Sequence, residues 1–262
     1  MNFILHVFNY FKYYFRSINE HGAHSPFLFK LLTNVVYVTE QYYDYKNLSK
    51  IRAQLLFNPS VLKVQDYGAG SRIFTSNQRK IKDIAKHGIS SVKYAELLFR
   101  LVNYFKPITI VELGTSLGLT TMYLAAANKN ATVYTLEGST EIADFAKKQF
   151  IKNDFQNIHL IEGDFKDTLP KLLLDLPSVD FAYIDGNHTK EATLNYFNQL
   201  LTKCNENSVL VFDDINWSKD MQEAWQYIKQ HPQVKLSVDF FFMGLVLFRK
   251  EQIQKEDFVV RF

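Results

Sequence analysis

The sequence predicts an α/β protein: a doubly wound, mostly parallel sheet of seven strands with an antiparallel last strand, preceded by a helical N-terminal segment. From about Pro107 onward, β-branched apolar runs alternate with helix-forming stretches over short connections. This is the pattern of a parallel sheet covered on both faces. The last two runs, VKLSVDF and MGLVLFR, are too close together for a crossover helix. They must pair as a hairpin, so one of them runs antiparallel.

The predicted strands are short and rich in apolar, β-branched residues. They lie at 108–113, 132–137, 158–162, 179–185, 208–213, 234–240 and 243–249. Helices are expected between them, and residues 94–105 form an amphipathic helix that leads into the first strand. Before Pro107 the pattern predicts helices and loops, including a helix that begins at Ser25 and Pro26.

The chain is expected to divide into three segments. They are a helical segment or lid that packs on the core, an α/β domain and a short tail, at 1–90, 91–250 and 251–262. The motif DYGAGS at 66–71 is interpreted as a turn, because no second strand with a suitably placed acid follows it.

The first helix has an aromatic face formed by Ile4, Phe8, Phe11 and Phe15. We expect this helix to pack on its own domain. Two alternatives stay open: a homodimer contact through this helix, and contact with a membrane surface.

Composition excludes several classes of protein. The 262 residues are 47% hydrophobic with a formal charge of +3, which indicates a globular chain and does not support nucleic acid as a partner. The single cysteine, Cys204, precludes an internal disulfide and a cysteine-cluster metal site, as expected for a cytoplasmic protein. No apolar run is long enough to span a bilayer, and no signal peptide is expected. The basic residues at 72–87 are interpreted as a solvated helix face.

The segment 108–118, ITIVELGTSLG, predicts a ligand pocket. A buried strand ends at Glu112, and a turn bearing Gly114 and Gly118 leads into the helix former LTTMYLAAA. The turn matches neither the dinucleotide-binding nor the phosphate-loop pattern. Glu112 also disfavours phosphate, because a carboxylate there would repel a pyrophosphate and attract a cationic group.

Glu137 ends the second predicted strand, 23 positions after Gly114. A doubly wound fold places an acid at about this spacing to accept hydrogen bonds from ribose hydroxyls. The ligand is therefore expected to contain a nucleoside.

With these motifs in place, residues 91–250 resemble the class I S-adenosylmethionine-dependent methyltransferases, in the O-methyltransferase branch of catechol O-methyltransferase-like and antibiotic-tailoring enzymes. VELGTSLG resembles the motif that holds the methionine end of the cofactor, Glu137 the ribose-binding acid, and GDF at 163–165 the loop beside the adenine. The resemblance implies S-adenosylmethionine as cofactor. Its expected contacts lie at strand ends and are Glu112, Gly114, Thr115, Ser116, Gly118, Glu137, Gly138, Gly163, Asp164, Phe165 and Asp185.

Three acids follow two neighbouring predicted strands. Asp185 ends the fourth strand, and Asp213 and Asp214 end the fifth. These carboxylates should converge, and a divalent cation would relieve their repulsion. Oxygen ligands favour Mg²⁺, or Mn²⁺ or Ca²⁺, over zinc. Metal-dependent members of the resembling branch carry acids at these places. The alternative is that these acids cap the following helices or stabilise the loops.

The expected reaction is methyl transfer to a hydroxyl oxygen of a small molecule, assisted by a divalent metal, with Asp185, His188 and Asp214 in catalytic roles. His188 is the candidate general base, although a structural role is an equal alternative. Three other functions compete. They are methylation of RNA or another nucleic acid, NAD-dependent oxidation, which Glu112 and the turn disfavour, and cofactor binding without catalysis.

Overall fold

The computed structural model describes residues 3–65, 76–252 and 254–262, with side chains described from residue 7 onward. In chain order its helices are α1 (Phe3–Arg16), α2 (Pro26–Leu31), α3 (Tyr43–Leu56), α4 (Ile81–His87), α5 (Val92–Phe105), α6 (Leu119–Ala127), α7 (Thr140–Lys152), α8 (Phe165–Asp175), α9 (Lys190–Leu201) and α10 (Lys219–Gln230). A 3₁₀ turn, Glu20–Gly22, precedes α2, and a π-helical stretch, Leu32–Val36, follows it. Within the described ranges, no helix is long and apolar enough to cross a bilayer.

The strands are, in chain order, β1 (Val61–Lys63), β2 (Gln78–Lys80), β3 (Thr109–Leu113), β4 (Thr132–Glu137), β5 (Ile158–Glu162), β6 (Phe181–Ile184), β7 (Val209–Asp213), β8 (Leu236–Asp239), β9 (Met243–Leu247) and β10 (Glu256–Val259). β1 and β2 form a small antiparallel hairpin in the stretch expected to hold only helices and loops. The DYGAGS motif and Arg72 lie outside the described residues.

The chain packs as two compact units: the terminal unit, residues 1–38 and 176–262, and the middle unit, residues 39–175. Residues 1–38 thus pack with the last third of the chain, whereas α3 and α4 belong to the middle unit. In the middle unit, β3, β4 and β5 pair in parallel in that order. In the terminal unit, the order is β10-β8-β9-β7-β6, with β9 antiparallel to both β7 and β8.

The predicted α/β fold is confirmed: the described strands include a mostly parallel sheet of eight, and β9 is the reversed strand. The eighth strand, β10, lies within the stretch 251–262 that was expected as a tail, and it pairs in parallel with β8. Only four residues long, it has no local pattern strong enough to predict a strand. The exposed edge of β8 supplies the partner that its backbone needs.

In the middle unit, the core is built from elements that are buried on every side. Every residue of β3 is buried, and so is every residue of α6. A strand and a helix with no exposed face lie inside the protein, as parallel sheets with covered faces require. The turn between β3 and α6 is therefore anchored at both ends by buried structure.

In the terminal unit, α1 is attached to the C-terminus by its buried residue Tyr13. The Tyr13 hydroxyl donates to the Val260 carbonyl (2.5 Å) and accepts from the Phe262 N–H (3.0 Å). The Tyr13 ring also packs on Phe241 with a centroid distance of 5.2 Å. Helix α1 thus contacts the rest of the terminal unit through Tyr13 and its neighbours.

Helix α1 packs within its own unit through Tyr13, but its aromatic face is turned outward. Phe8, Phe11 and Phe15 are 65%, 55% and 80% exposed, and the side chain of Ile4 lies outside the described part. Tyr13 faces inward instead, because its hydroxyl can satisfy two backbone groups of the C-terminal strand, which a phenylalanine cannot do.

Candidate functional site

The turn after β3 has a backbone conformation that few residues adopt. Gly114, Ser116 and Gly118 all have positive φ angles, of 104°, 48° and 80°. The N–H groups of Gly114 and Thr115 both donate to the Leu136 carbonyl, at 3.0 and 3.2 Å. A Cβ at Gly118 would lie 2.6 Å from the ring of Phe150. Both the dihedral angle and the close packing therefore require glycine at 118.

Glu112 is completely buried beneath this turn. Its Oε2 accepts hydrogen bonds from the hydroxyls of Thr121 (2.5 Å) and Thr135 (2.6 Å). The Thr135 hydroxyl is in turn 2.6 Å from that of Thr115. This network joins β3, β4, the turn and α6, so the carboxylate holds the turn in place through hydroxyl groups. Glu112 is therefore not a charged strand end that faces solvent.

Glu137 lies directly beside the turn, because Leu113 of β3 is in register with Leu136 of β4. Its two carboxylate oxygens accept from the backbone N–H groups of Ser116 and Ser139, both at 3.0 Å. The side chain remains partly exposed. A carboxylate has about four acceptor positions, so it can accept further hydrogen bonds from a ligand.

The loop after β5 is tied to the same strand end. Gly163, with φ of 134°, donates its N–H to the Glu137 carbonyl (2.9 Å). Asp164 begins α8, accepting from the Lys166 N–H at 3.0 Å and pairing with the Lys166 ammonium at 3.3 Å. Phe165 is partly exposed, whereas Gly138 is buried. The middle unit therefore brings the glycine turn, the strand-end acid and the Gly163 loop together.

The terminal unit brings the other predicted acids together. Ile184 of β6 is in register with Phe212 of β7, so Asp185 and Asp213 follow neighbouring strand ends. His188 Nε2 lies 3.5 Å from Asp185 Oδ1, and the Tyr183 hydroxyl donates to Asp185 Oδ2 at 3.3 Å. We call Asp185, His188, Asp213 and Asp214 the acidic cluster.

The carboxyl groups of the acidic cluster hold protons more tightly than isolated carboxyls do. Burial and the charges of Asp185 and Asp214 raise the pKa of Asp213 well above its usual value. Burial raises the pKa of Asp214 to about 6, with the charge of His188 opposing the shift. Burial also raises the pKa of Asp185, opposed by His188 and by hydrogen bonds from Tyr183 and Asp213. Asp214 can therefore accept or release a proton not far from neutral pH.

The capping explanation for these acids does not hold. Helix α9 is capped by Thr189, whose hydroxyl accepts from the Ala192 N–H, and α10 by Ser218, whose hydroxyl accepts from the Met221 N–H. Backbone strain also gathers at the acidic cluster: Asn187, His188 and Asp214 have φ angles of 67°, 42° and 53°. Left-handed residues other than glycine cost energy and are concentrated at functional sites.

The metal prediction can be tested against the donor set. Across residues 3–65, 76–252 and 254–262, no three His, Cys, Asp or Glu side chains are already arranged to hold a metal ion. The chemistry of the donors nevertheless suits a divalent cation, since three crowded carboxyls with raised pKa values would gain from a positive charge.

Sequence reasoning missed Tyr183 and the threonines around Glu112. Tyr183 lies on β6 and Asp185 directly follows it, two residues later, so the alternation of the strand places both side chains on the same side. This spacing is visible in the sequence. Thr135 could not be assigned to Glu112 without the register of β3 and β4. In the basic stretch, Lys80 and Lys82 are exposed as expected, whereas Arg79 is buried and donates to the Ser76 carbonyl at 3.2 Å.

Cys204 is unsuited to nucleophilic chemistry. Burial raises the pKa of its thiol to about 12. It also precedes β7, at the opposite end of that strand from Asp213. A methyltransferase that attacks cytosine through a cysteine is therefore disfavoured.

Comparison with known proteins is consistent with these features. A family described as a methyltransferase domain matches residues 111–215, less than half of the chain. No protein of curated function matches the chain significantly.

Solved structures of low sequence identity share the fold. An O-methyltransferase from Bacillus cereus in complex with S-adenosylhomocysteine (SAH) has 19% identity and a TM-score of 0.57, covering 80% of this chain and 93% of its own. An SAH-bound methyltransferase from Podospora anserina has 15% identity and a TM-score of 0.56, covering 81% and 100%. An O-methyltransferase from Streptomyces achromogenes, involved in tomaymycin synthesis and bound to S-adenosylmethionine, has 20% identity and a TM-score of 0.55, covering 62% and 82%. The resemblance drawn from the sequence is confirmed at the level of the fold.

Proposed function

We propose that this chain, which has the class I S-adenosylmethionine-dependent methyltransferase fold, transfers a methyl group to a hydroxyl oxygen of a small molecule. One observation carries the proposal. Glu137 lies at the end of β4, hydrogen-bonded to the glycine turn at the start of α6. The Glu137 carboxylate can accept hydrogen bonds from ribose hydroxyls, and it lies beside a turn whose glycines let the backbone approach a ligand. This arrangement suits a nucleoside.

The residues of the middle unit would hold the methyl donor. Glu137 would accept from the ribose hydroxyls, and Asp164 and Phe165 would border the adenine. The turn from Gly114 to Gly118, kept rigid by Glu112, would lie against the methionine part. When bound, S-adenosylmethionine supplies an electrophilic methyl group on a sulfonium. The protein's contribution is to hold donor and acceptor in line, which accounts for much of such catalysis.

The acidic cluster would take the proton that the acceptor hydroxyl loses. His188 Nε2 and Asp185 Oδ1 are 3.5 Å apart, so the carboxylate can hold the imidazole in place as the base. Asp185, Asp213 and Asp214 would hold a divalent cation, which when bound lowers the pKa of a coordinated hydroxyl. Oxygen donors favour Mg²⁺ for this position.

The donor part of the proposal is tested by calorimetry with SAH. We expect binding at micromolar to millimolar concentration, and we expect Glu137→Ala to weaken it at least about tenfold because two ribose hydrogen bonds are lost. Glu40→Ala, at an exposed residue of the middle unit, is the matched control and should bind like the wild type. NAD serves as the competing ligand. Preferential binding of NAD, or no binding of SAH, would refute the proposal.

The acceptor part is tested by methyl transfer with labelled donor to a panel of hydroxylated compounds. Asp185→Ala and Asp213→Ala should abolish transfer, and SAH binding should survive in Asp213→Ala. Full activity in the presence of a chelator would show that the metal is not needed. A protein that binds SAH but transfers no methyl group to any compound of the panel would instead support a binding module without catalysis.

We also propose that the exposed aromatic face of α1 forms a homodimer contact. Phe8, Phe11 and Phe15 lie on one side of the helix and are mostly exposed, and such patches mark association sites. Sedimentation should show a dimer for the wild type and a monomer for Phe11→Glu with Phe15→Glu. A monomeric wild type at high concentration would exclude this contact.

A further inference from the structure

A cleft lies within the terminal unit between α1 and α10, with a volume of about 580 Å³. This is the size of sites that bind small molecules. Lys190 at the start of α9, Asn216 after β7 and Asp239 at the end of β8 complete its walls. The reaction proposed above assigns it no role.

The cleft has an excess of positive charge. Its cations are Lys12, Arg16, Lys190 and Lys219, and its acids are Glu223 and Asp239. Glu223 is already paired with Lys190 at 2.7 Å and lies 3.9 Å from Lys219. Lys12 and Arg16, one turn apart on α1, form no ion pair with any residue in the described part of the chain. The wall formed by α1 therefore offers two uncompensated cations, which favours a ligand with a negative group.

Carboxamides also line the cleft, beside the apolar and aromatic side chains of Tyr13, Trp225, Tyr227 and Val259. Gln222, Gln226 and Gln230 follow each other at intervals of one turn along α10, and Asn9 lies on α1. None of these four side chains makes a hydrogen bond within the described ranges. A carboxamide both donates and accepts, as a hydroxyl group does. This row of carboxamides therefore suits a ligand with several hydroxyl groups better than a simple inorganic anion.

Part of the cleft wall lies at the same edge of the sheet as the acidic cluster. Strand register pairs Asp213 with Met243 and Asp239 with Gly244, so β7 and β8, which flank β9, end at one edge. Two wall residues follow members of the acidic cluster closely in the chain. Lys190 is two positions after His188, and Asn216 is two positions after Asp214. A ligand held by these wall residues is thus placed near the acidic cluster.

We infer that this cleft binds the methyl acceptor and that the acceptor is a small, hydroxyl-rich molecule with a carboxylate or phosphate group, such as an acidic sugar. The acceptor role, unlike the binding itself, rests on the proposed function. A hydroxyl oxygen forms a bond to the methyl carbon as the sulfonium S–C bond breaks. The hydroxyl proton is taken up as in the reaction proposed above, and SAH is released.

The inference is tested by calorimetry on the full chain in the presence of SAH. The probes are glucuronate, glucose 6-phosphate, glucose and inorganic phosphate, so that the carboxylate, phosphate and hydroxyl contributions separate. We expect one or both sugar anions to bind more tightly than glucose and than inorganic phosphate. The Lys12→Ala/Arg16→Ala double variant should weaken that binding at least about tenfold, and Gln222→Ala/Gln226→Ala should weaken it severalfold. Lys30→Ala, which removes an exposed lysine of α2 outside the cleft, should have no effect.

Several results would overturn the inference. They are failure of both sugar anions to bind, equal binding of glucose, equal binding of inorganic phosphate, and unchanged affinity in the Lys12→Ala/Arg16→Ala variant. A parallel titration with SAH alone separates the two proposals. If SAH binds and the sugar anions do not, only this inference fails. If SAH does not bind, the proposed function fails, and the acceptor role fails with it.

Discussion

At the residue scale, Asp214 shows how the fold changes the chemistry of a side chain. Burial raises its pKa from 3.8 to about 6. The folded state therefore binds the proton more tightly than the unfolded chain does. The stability that this provides is complete below about pH 4 and is lost as the pH rises through 6.

We predict that Asp214→Asn raises the melting temperature at pH 8, measured in chelator, and that the gain disappears near pH 4. A shift of about 2 pKa units corresponds to a gain of at most about 3 kcal/mol. Asparagine tolerates the left-handed backbone at this position, so the change should not strain the turn. Glu40→Gln, at an exposed residue, should show no such pH dependence. A stability gain equal at both pH values would contradict the assigned burial of charge.

Tyr183 tunes the same cluster. Its hydroxyl donates to Asp185 and lowers the pKa of both Asp185 and Asp213. Tyr183→Phe should therefore shift the acidic limb of the pH–activity profile upward by somewhat less than about 1 unit, the equivalent of one hydrogen bond. The measurement is kcat against pH, with SAH affinity as the control for folding. An unmoved acidic limb would show that neither carboxyl titrates in the reaction.

At the element scale, the turn between β3 and α6 depends on Gly118. Alanine there would need a φ of 80° and would place its Cβ 2.6 Å from the Phe150 ring. We predict that Gly118→Ala lowers the free energy of unfolding by at least about 2 kcal/mol and weakens SAH binding.

A second variant separates the two causes. Phe150→Leu removes the ring that the new Cβ would meet, so the Gly118→Ala/Phe150→Leu double variant should lose less stability than the sum of the single changes. Chemical denaturation of the four proteins measures this coupling. Simple additivity would mean that the backbone angle alone requires glycine.

At the scale of the whole molecule, the two ends of the chain stabilise each other. The Tyr13 hydroxyl contacts two backbone groups of the C-terminal strand, and the Ile18 N–H donates to the Val259 carbonyl at 2.8 Å. Tyr13→Phe should cost about 1–3 kcal/mol, because a buried carbonyl loses its donor. Hydrogen exchange should then increase in α1 and β10 together.

Tyr14→Phe is the matched control, because Tyr14 is 41% exposed. It should leave exchange in both elements near the wild-type rate. If Tyr13→Phe accelerated exchange in α1 alone, the helix and the last strand would not form one cooperative unit.

The sequence was sufficient for the α/β class, for seven of the strands and for the reversed strand β9. These depend on local patterns: apolar runs of strand length, their separation, and a connection too short for a helix. The acids after β6 and β7 were predicted to meet because neighbouring parallel strands end at one edge, and the register of Ile184 with Phe212 places them so. Such inferences need only the spacing of apolar residues along the sequence and the order of the strands in the sheet.

Only the tertiary structure decided the features that depend on partners distant in sequence. Strand β10 exists because β8 presents a free edge, and α1 presents its tyrosine face inward because the C-terminal backbone needs a donor and an acceptor. The Glu112 network needs the register of two strands, and the cleft between α1 and α10 needs two helices separated by about 200 residues. The glycine turn and its acid can thus be read locally. Which helix face packs inward and which cavity forms depend on long-range contacts, and no local sequence pattern encodes the energy of those contacts.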